Sequence, residues 1–434
     1  MAPAQDVHAH DGALSSLLRL AAIGSVDAGK STLLGRLLHD TRQLFDDQME
    51  ALASASRRYG ADGVDLAFVT DGLRAEREQG ITIDVAYRYA STPERKFVIA
   101  DCPGHVQYTQ NMATGASTAD LALVVVDATA GLQDQTRRHC SIAALVGVRH
   151  AVVAVNKMDR VAWDRDAFEA VGDDGEALLG RLGLETATSV PVSALRGDNV
   201  VGRSAHMPWY GGPTLLEVLE AAPAAAWALE ASAGPRLPVQ WVVRHPGGGR
   251  SYAGMVSGGT LRAGDAVVVL PGGQRTTLAS VETFDGPLEE ASSSMSVRVR
   301  LADELDVSRG DLVAPADCPP EVSREFHATL CWFGETPLEE GRRLRVKHTT
   351  RTTPAMVQSV ERRLDVGTME LHEAAALGAN EIGVVRLSVA TPLALDSYRA
   401  NRVTGSFLVI DERTNATVAA GMVGVPALAG AGGG

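Results

Sequence analysis

The chain has 434 residues, of which 45% are hydrophobic and 21% charged, and its formal net charge is −13. That length fits two to four domains of about 100–200 residues each, with enough apolar side chains to build large cores. No apolar run reaches the roughly 18–20 residues of a membrane helix, and the acidic balance disfavours broad non-specific nucleic-acid binding, which depends on basic surface.

Residues 1–16 carry Asp6, His8, His10 and Asp11 in place of a basic start and an apolar stretch. They do not read as a signal peptide and are expected to be disordered. The apolar run Leu17–Ile23 reads as a buried strand. It leads into Gly24-Ser25-Val26-Asp27-Ala28-Gly29-Lys30-Ser31, a complete GxxxxGK[ST] loop. A helix over Lys30–Asp40 follows, running on through Thr32, with Leu33, Leu34, Leu37 and Leu38 on one face. The glycines let backbone N–H groups turn inward around phosphates, and the helix N-terminus adds a favourable dipole. Lys30 should reach the β- and γ-phosphates, and the Ser31 hydroxyl should bind Mg²⁺.

Gly80-Ile81-Thr82-Ile83-Asp84 stands where a switch segment belongs, with Thr82 placed to bind Mg²⁺ and sense the γ-phosphate. After the apolar stretch Lys96–Ala100 comes Asp101-Cys102-Pro103-Gly104-His105. Asp101, leaving a second buried strand, is the expected partner of Mg²⁺ through water. Gly104 permits a backbone N–H to approach the γ-phosphate, and His105 stands where it would orient the attacking water. Cys102 has no base beside it and reads as a packed turn residue. Further on, Arg137-Arg138-His139 reads as a solvated helix face.

Leu121–Val126 and Ala151–Val155 are further continuous apolar runs. The second leads into Asn156-Lys157-Met158-Asp159, whose chemistry chooses a base. The Asp159 carboxylate can accept from the N1–H and N2–H₂ edge of guanine, whereas adenine would leave that charge unpaired. Asn156 would face the other edge, and the Lys157 stem would cover the ring. Ser193-Ala194-Leu195 follows the apolar Ser189–Val192 and should touch the guanine through its backbone. Strands alternating with helices imply a doubly wound parallel sheet with its ligand, GTP, at the carboxyl ends.

The texture changes across the Ala/Pro-rich connection Ala222–Pro235. Short β segments follow, among them Val239–Arg244, Tyr252–Val256, Ala266–Leu270 and Thr276–Val281, separated by Gly turns. A break near Pro315–Ser323 precedes another β-rich stretch, Phe326 to Val423. The expected architecture is an α/β P-loop GTPase domain over 17–230, followed by two small antiparallel β-barrel domains over 235–318 and 322–425. A disordered tail, 426–434, would close the chain. Arg342, Arg343, Arg345, Lys347 and His348 are either the alternating exposed side chains of a barrel strand or a partner-binding surface. Four scattered cysteines without CxxC spacing fit a reducing, cytoplasmic setting.

The phosphate loop, switch segment, DCPGH, NKMD and SAL, with two barrels behind them, resemble the translational-factor branch of GTPases. Within it, Leu37–Arg42, Asp71–Tyr89, Asn111–Asp120, Asp134–His139, Ser193–Val200, Met207–Tyr210, Asp396–Tyr398, Asn401–Gly405 and Gly421–Val423 resemble the GTPase subunit of bacterial ATP sulfurylase, sulfate adenylyltransferase subunit 1. That resemblance spans roughly residues 17 to 424. It implies GTP hydrolysis coupled to adenylyl transfer from ATP to sulfate. The transfer would occur on a separate smaller catalytic subunit, in a heterodimer or a higher assembly of it. Nucleic-acid and membrane partners are not expected. Some relatives carry a fused adenylylsulfate kinase; no second GxxxxGK[ST] follows residue 230, so that activity is not expected here. Ala28 departs from the residue these proteins often carry, at a position where the backbone makes the contacts. The alternative within the branch is an elongation factor delivering aminoacyl-tRNA, with nearly the same G-domain motifs.

Overall fold

Leu17–Ile23 (β1) is buried along almost its whole length because parallel strands cover it on both edges and helices cover its faces. In the computed structural model, which describes residues 17–43, 82–223, 233–245 and 248–424, β1 lies inside a six-stranded sheet. The other strands are β2 (Ala86–Ser91), β3 (Lys96–Asp101), β4 (Leu121–Asp127), β5 (His150–Asn156) and β6 (Thr186–Pro191), in the order β2-β3-β1-β4-β5-β6. The helices are α1 (Lys30–Asp40), α2 (Thr109–Ser117), α3 (Asp134–Leu145), α4 (Arg165–Arg181) and α5 (Leu215–Ala221). The expected tails 1–16 and 426–434 lie outside the described residues, as do Gly80, Ile81 and the middle of the Ala222–Pro235 connection.

The strand order reverses at β1, with β3 on one side and β4 on the other, which opens a crevice at the carboxyl ends. Leu33, Leu34, Leu37 and Leu38 of α1 pack with Leu18, Leu20 and Ala22 of β1 and with Leu215 and Leu219 of α5. Both ends of α5 are fixed. A Thr214/Glu217 capping box starts it, and Arg95 donates to the carbonyls of Leu219 and Glu220, each at 3.1 Å, at its end. One strand departs from the expected parallel pattern. β2 pairs antiparallel with β3 at the sheet edge, and its alternation leaves Tyr87 and Tyr89 exposed. Among the described residues no helix is long and apolar enough to cross a membrane.

The chain divides into two compact units near Ala224. In the second, strands from Leu237 to Pro315 form an antiparallel sheet whose ends meet where Arg236 and Ser257 exchange backbone hydrogen bonds of 2.8 Å. The expected strand Val239–Arg244 is broken there. Leu237–Pro238 pairs with Leu312 and Val313, the Val239 N–H turns to Asp311 O, and Trp241–Arg244 pairs with Arg250–Ala253. The chain changes partner at Val239, so one apolar run serves two edges.

A second barrel closes fully. Its strands pair in the order Arg343–His348, Ser406–Ile410, Thr417–Val423, Glu321–Trp332, Ile382–Leu395, Arg351–Asp365 and back to the first. Trp332, Leu330, Val346, Val385 and Leu387 fill its interior. Alternation along Arg343–His348 buries Leu344 and Val346 and exposes Arg343 and Lys347. Arg342 lies over the Trp332 ring and pairs with Asp411 at 3.3 Å, Arg345 bonds Asn415, and His348 is buried against Thr404 O at 2.7 Å. Three of those five side chains are thus engaged within the barrel.

Candidate functional site

Sheet register brings the motifs together. Ala22 lies opposite Asp101, so the Gly24–Ser31 loop and the Asp101–His105 loop leave adjacent strands at one level, where Cys102 N–H bonds Ala22 O at 3.2 Å. Asp127 lies opposite Asn156, and the Val192 N–H bonds Val155 O at 2.8 Å, which aligns the loops after β4, β5 and β6. The loops after β1, β3, β4, β5 and β6 therefore meet at the carboxyl edge.

Lys30 is 7% exposed and donates to the carbonyls of Gly24 at 3.2 Å and Ser25 at 2.8 Å. Burial holds its ammonium below the usual lysine range, against the pull of the nearby Asp101 carboxylate. Gly104 lies directly over it: a Cβ there would stand 2.5 Å from Lys30 Nζ and 2.9 Å from Ser25 O. Gly29 is equally constrained, with φ +88 and a Cβ position 2.5 Å from Asn156 Nδ2. Val26, Asp27 and Ala28 form the loop's turn, Asp27 with φ 60, and Thr32 continues α1.

Ser31 Oγ donates to Asp101 Oδ2 at 3.2 Å and lies 3.4 Å from Thr82 Oγ1. Two hydroxyls and a fully buried carboxylate, meeting beside the lysine, form the oxygen set a hard cation such as Mg²⁺ prefers. The switch backbone is tied down beside them by Asn111, which donates to Ile83 O at 2.9 Å. His105 caps the short turn Val106–Tyr108, its Nδ1 accepting from Gln107 N at 3.3 Å. An accepting Nδ1 puts the proton of the neutral ring on Nε2. Pro103 and Cys102 are buried, and burial pushes the Cys102 thiol far above its ordinary range, so it is inert.

At the other end, Asn156 donates to Ala28 O at 2.9 Å and accepts from Ala194 N at 3.0 Å. Lys157, in the left-handed region at φ 65, reaches across to Asp27 O at 2.5 Å and Asp127 Oδ2 at 2.7 Å. Met158 is buried beneath, and Leu195 is 65% exposed. Asp159 Oδ1 accepts from the Ser193 hydroxyl at 2.6 Å.

One reading is overturned. His139 is no part of a solvated face: it is fully buried, because α3 sets Thr136, His139, Cys140 and Ala143 on the stripe facing the core. The Gln135 amide donates to its Nε2 at 2.7 Å. Burial, with the Lys30 and Arg138 charges, pushes its pKa down to about 3. Sequence reasoning also missed two side chains that hold these loops: Asp127, which bonds Lys157, and Arg36, which bonds the Ala194 and Leu195 carbonyls. Asp127 had a signal, an acidic residue ending an apolar run just as Asp101 does; Arg36 looked like one more polar position on α1.

A phosphate loop, an acidic strand end and an NKxD segment on this sheet, followed in the chain by antiparallel barrel strands, define a P-loop GTPase of the translation-factor class. Residues 15–224 match the family described as elongation factor Tu GTP binding domain, and residues 325–424 the GTP-eEF1A C-terminal domain-like family. The chain is 48% identical over 421 residues to sulfate adenylyltransferase subunit 1 of Aeromonas salmonicida, covering 96% of this chain and 89% of that protein. It is 52% identical over 416 residues to the bifunctional enzyme CysN/CysC of Mycobacterium tuberculosis, covering 94% of this chain and 67% of that one. Against the bifunctional enzyme CysN/CysC of Xylella fastidiosa it is 50% identical over 94% of this chain and 66% of that protein. This chain belongs to the sulfate adenylyltransferase subunit 1 family, and it spans about two thirds of the length of the bifunctional relatives.

Proposed function

We propose that this chain is the GTPase subunit of a sulfate adenylyltransferase, coupling GTP hydrolysis to adenylyl transfer from ATP to sulfate on a separate, smaller catalytic subunit. Forming the phosphoric–sulfuric anhydride of adenosine 5′-phosphosulfate is strongly uphill, and hydrolysing GTP can drive it. The observation that carries the reading is the meeting of the Lys30 loop, Asp101 and the Ser193–Asp159 pair at one sheet edge, in a chain 48% identical to a sulfate adenylyltransferase subunit 1. Free cysteines, three buried and Cys318 exposed, suit a reducing cytoplasm.

In this reading Lys30 and the inward N–H groups of residues 24–32 bind the phosphates, and the Gly104 N–H approaches the γ-phosphate. Ser31 and Thr82 would hold Mg²⁺, with Asp101 behind them through water; the ion would offset charge on the β- and γ-phosphates. His105 Nε2 holds the water for in-line attack, and Lys30 stabilises the charge that develops. Asp159 accepts from the guanine edge, Asn156 faces the opposite edge, and Lys157 covers the ring.

The test is GTP hydrolysis by the purified chain with and without the smaller subunit, ATP and sulfate. Hydrolysis that rises only when all are present, together with adenosine 5′-phosphosulfate formation, supports the coupled enzyme. Hydrolysis indifferent to them but stimulated by ribosomes and aminoacyl-tRNA would replace it with an elongation-factor role.

A further inference from the structure

Helix α1 carries a guanidinium that none of the nucleotide motifs includes. Arg36 Nε donates to Ala194 O at 3.0 Å, and Nη2 donates to Leu195 O at 2.8 Å. Those carbonyls belong to the second and third residues of the Ser193–Leu195 segment. Asp40, one turn further along α1, lies 3.5 Å from Arg36 Nη1 and helps orient the fork. The Arg36 side chain is 21% exposed, so it is packed along its length.

The same segment is held at two further points. Ser193 Oγ bonds Asp159, and Ala194 N–H bonds Asn156 Oδ1. The turn beyond is closed by Gly197 N–H to Ser193 O at 2.7 Å. Two adjacent carbonyls turned to one planar cation is an arrangement arginine satisfies and lysine does not, because only the guanidinium presents a rigid fork. The cation is rooted in the helix that begins at Lys30. Arg36 therefore ties the segment at the base end to the element at the phosphate end.

We infer that Arg36 is a positioning residue for base recognition: by holding the Ala194 and Leu195 carbonyls it fixes the Ser193–Leu195 backbone on the 6-oxo side of guanine, while Asp159 takes the neighbouring N1–H and 2-amino edge. This rests on the reading of Asp159 and the Ser193–Leu195 backbone as base contacts. If Arg36 served only as a helix-surface partner of Asp40, its loss would leave nucleotide binding untouched.

The experiment uses the full chain with Arg36→Ala, Arg36→Lys and, as a control, Asp159→Asn. It measures dissociation of fluorescent GDP, affinities for GTP, ITP (no 2-amino group) and 2-aminopurine riboside triphosphate (no 6-oxo group and no N1–H), hydrolysis at saturating GTP, and melting temperature. Arg36→Ala should speed GDP dissociation about tenfold, the effect of one charge-assisted hydrogen bond. It should narrow the preference for GTP over the 2-aminopurine nucleotide, keep the preference for GTP over ITP, and leave saturated hydrolysis unchanged. Arg36→Lys should fall between, since an ammonium serves one carbonyl better than two. Unchanged dissociation and base ratios overturn the proposal, as does equal weakening of all three nucleotides alongside a lower melting temperature. If Asp159→Asn abolishes guanine preference while Arg36→Ala does not alter it, only the role of Arg36 falls. If neither alters it, the base-reading assignment falls as well.

Discussion

The Ser193 hydroxyl donates to Asp159 Oδ1 at 2.6 Å, a hydrogen bond between residues 34 positions apart on two different strand-end loops. It fixes one carboxylate oxygen and its plane before any base arrives, so the ordering cost of binding is partly met in the folded chain.

Asp159→Asn should therefore weaken GTP by about a hundredfold or more, since two charge-assisted bonds of roughly 1.5–3 kcal/mol each are lost. It should also admit xanthosine triphosphate, whose base offers the complementary edge. Ser193→Ala removes only the orienting bond and should cost about tenfold in GTP affinity with guanine still preferred. Competition binding with GTP and xanthosine triphosphate reads both. Guanine preference surviving intact in Asp159→Asn would place base recognition elsewhere.

His105→Ala should slow hydrolysis at saturating GTP by about a hundredfold or more, within the usual span for a group acting on the reacting water. GTP affinity should change little, because the ring is tied to Gln107 N and not to the Lys30 loop. Single-turnover hydrolysis beside equilibrium binding separates the two. An unchanged rate would remove His105 from the chemistry.

The phosphate loop and the DCPGH, NKMD and SAL segments were legible because each is a few consecutive residues that directly follow an apolar run. Local patterning also fixed helix Lys30–Asp40 and strands such as Leu121–Asp127. What escaped was held by distant partners. Arg36 meets carbonyls 158 and 159 positions away, and Arg95 caps α5 from 124 positions away. Each reads as an ordinary charged position until the fold supplies the acceptors. His139 was misread because two arginines precede it, although its spacing from Thr136 and Ala143 already placed it on the buried stripe of α3. The edge strand β2 was missed for the opposite reason, since its alternating tyrosines lack the continuous apolar run that marked its neighbours.

His139 gives the folded chain a pH dependence of definite sign. It stays neutral in the fold down to about 3 but takes a proton in the unfolded chain below its ordinary value of 6.5. Between those values the unfolded state binds the extra proton, so stability falls as pH drops through this window, by up to about 1.4 kcal/mol per pH unit. His139→Gln should flatten that slope relative to the parent chain. Urea midpoints taken at several pH values measure it, and parallel curves for the two chains would show that His139 is not the group responsible.

The two barrels of the second unit share a buried ion pair, and its energetics should differ sharply between removing one partner and removing both. Arg236 Nε and Nη2 bond the Asp396 carboxylate at 2.9 and 3.0 Å, with the arginine side chain 2% exposed and the aspartate 7%. Thr404 Oγ1 adds a 2.6 Å bond to the same carboxylate, and Ser257 Oγ donates to Asn401 alongside at 2.9 Å. Desolvating both charges costs about as much as their attraction returns, so the pair adds little net stability over well-packed apolar residues. Removing one partner is different, because the cation left behind has neither water nor anion. Asp396→Ala should thus lower stability by about 3–5 kcal/mol, whereas Arg236→Met with Asp396→Leu should recover most of that loss. Urea unfolding of both variants and the parent chain measures the difference. If the double variant is as unstable as the single one, the pair itself holds the barrels together, and the cost does not arise from a stranded charge.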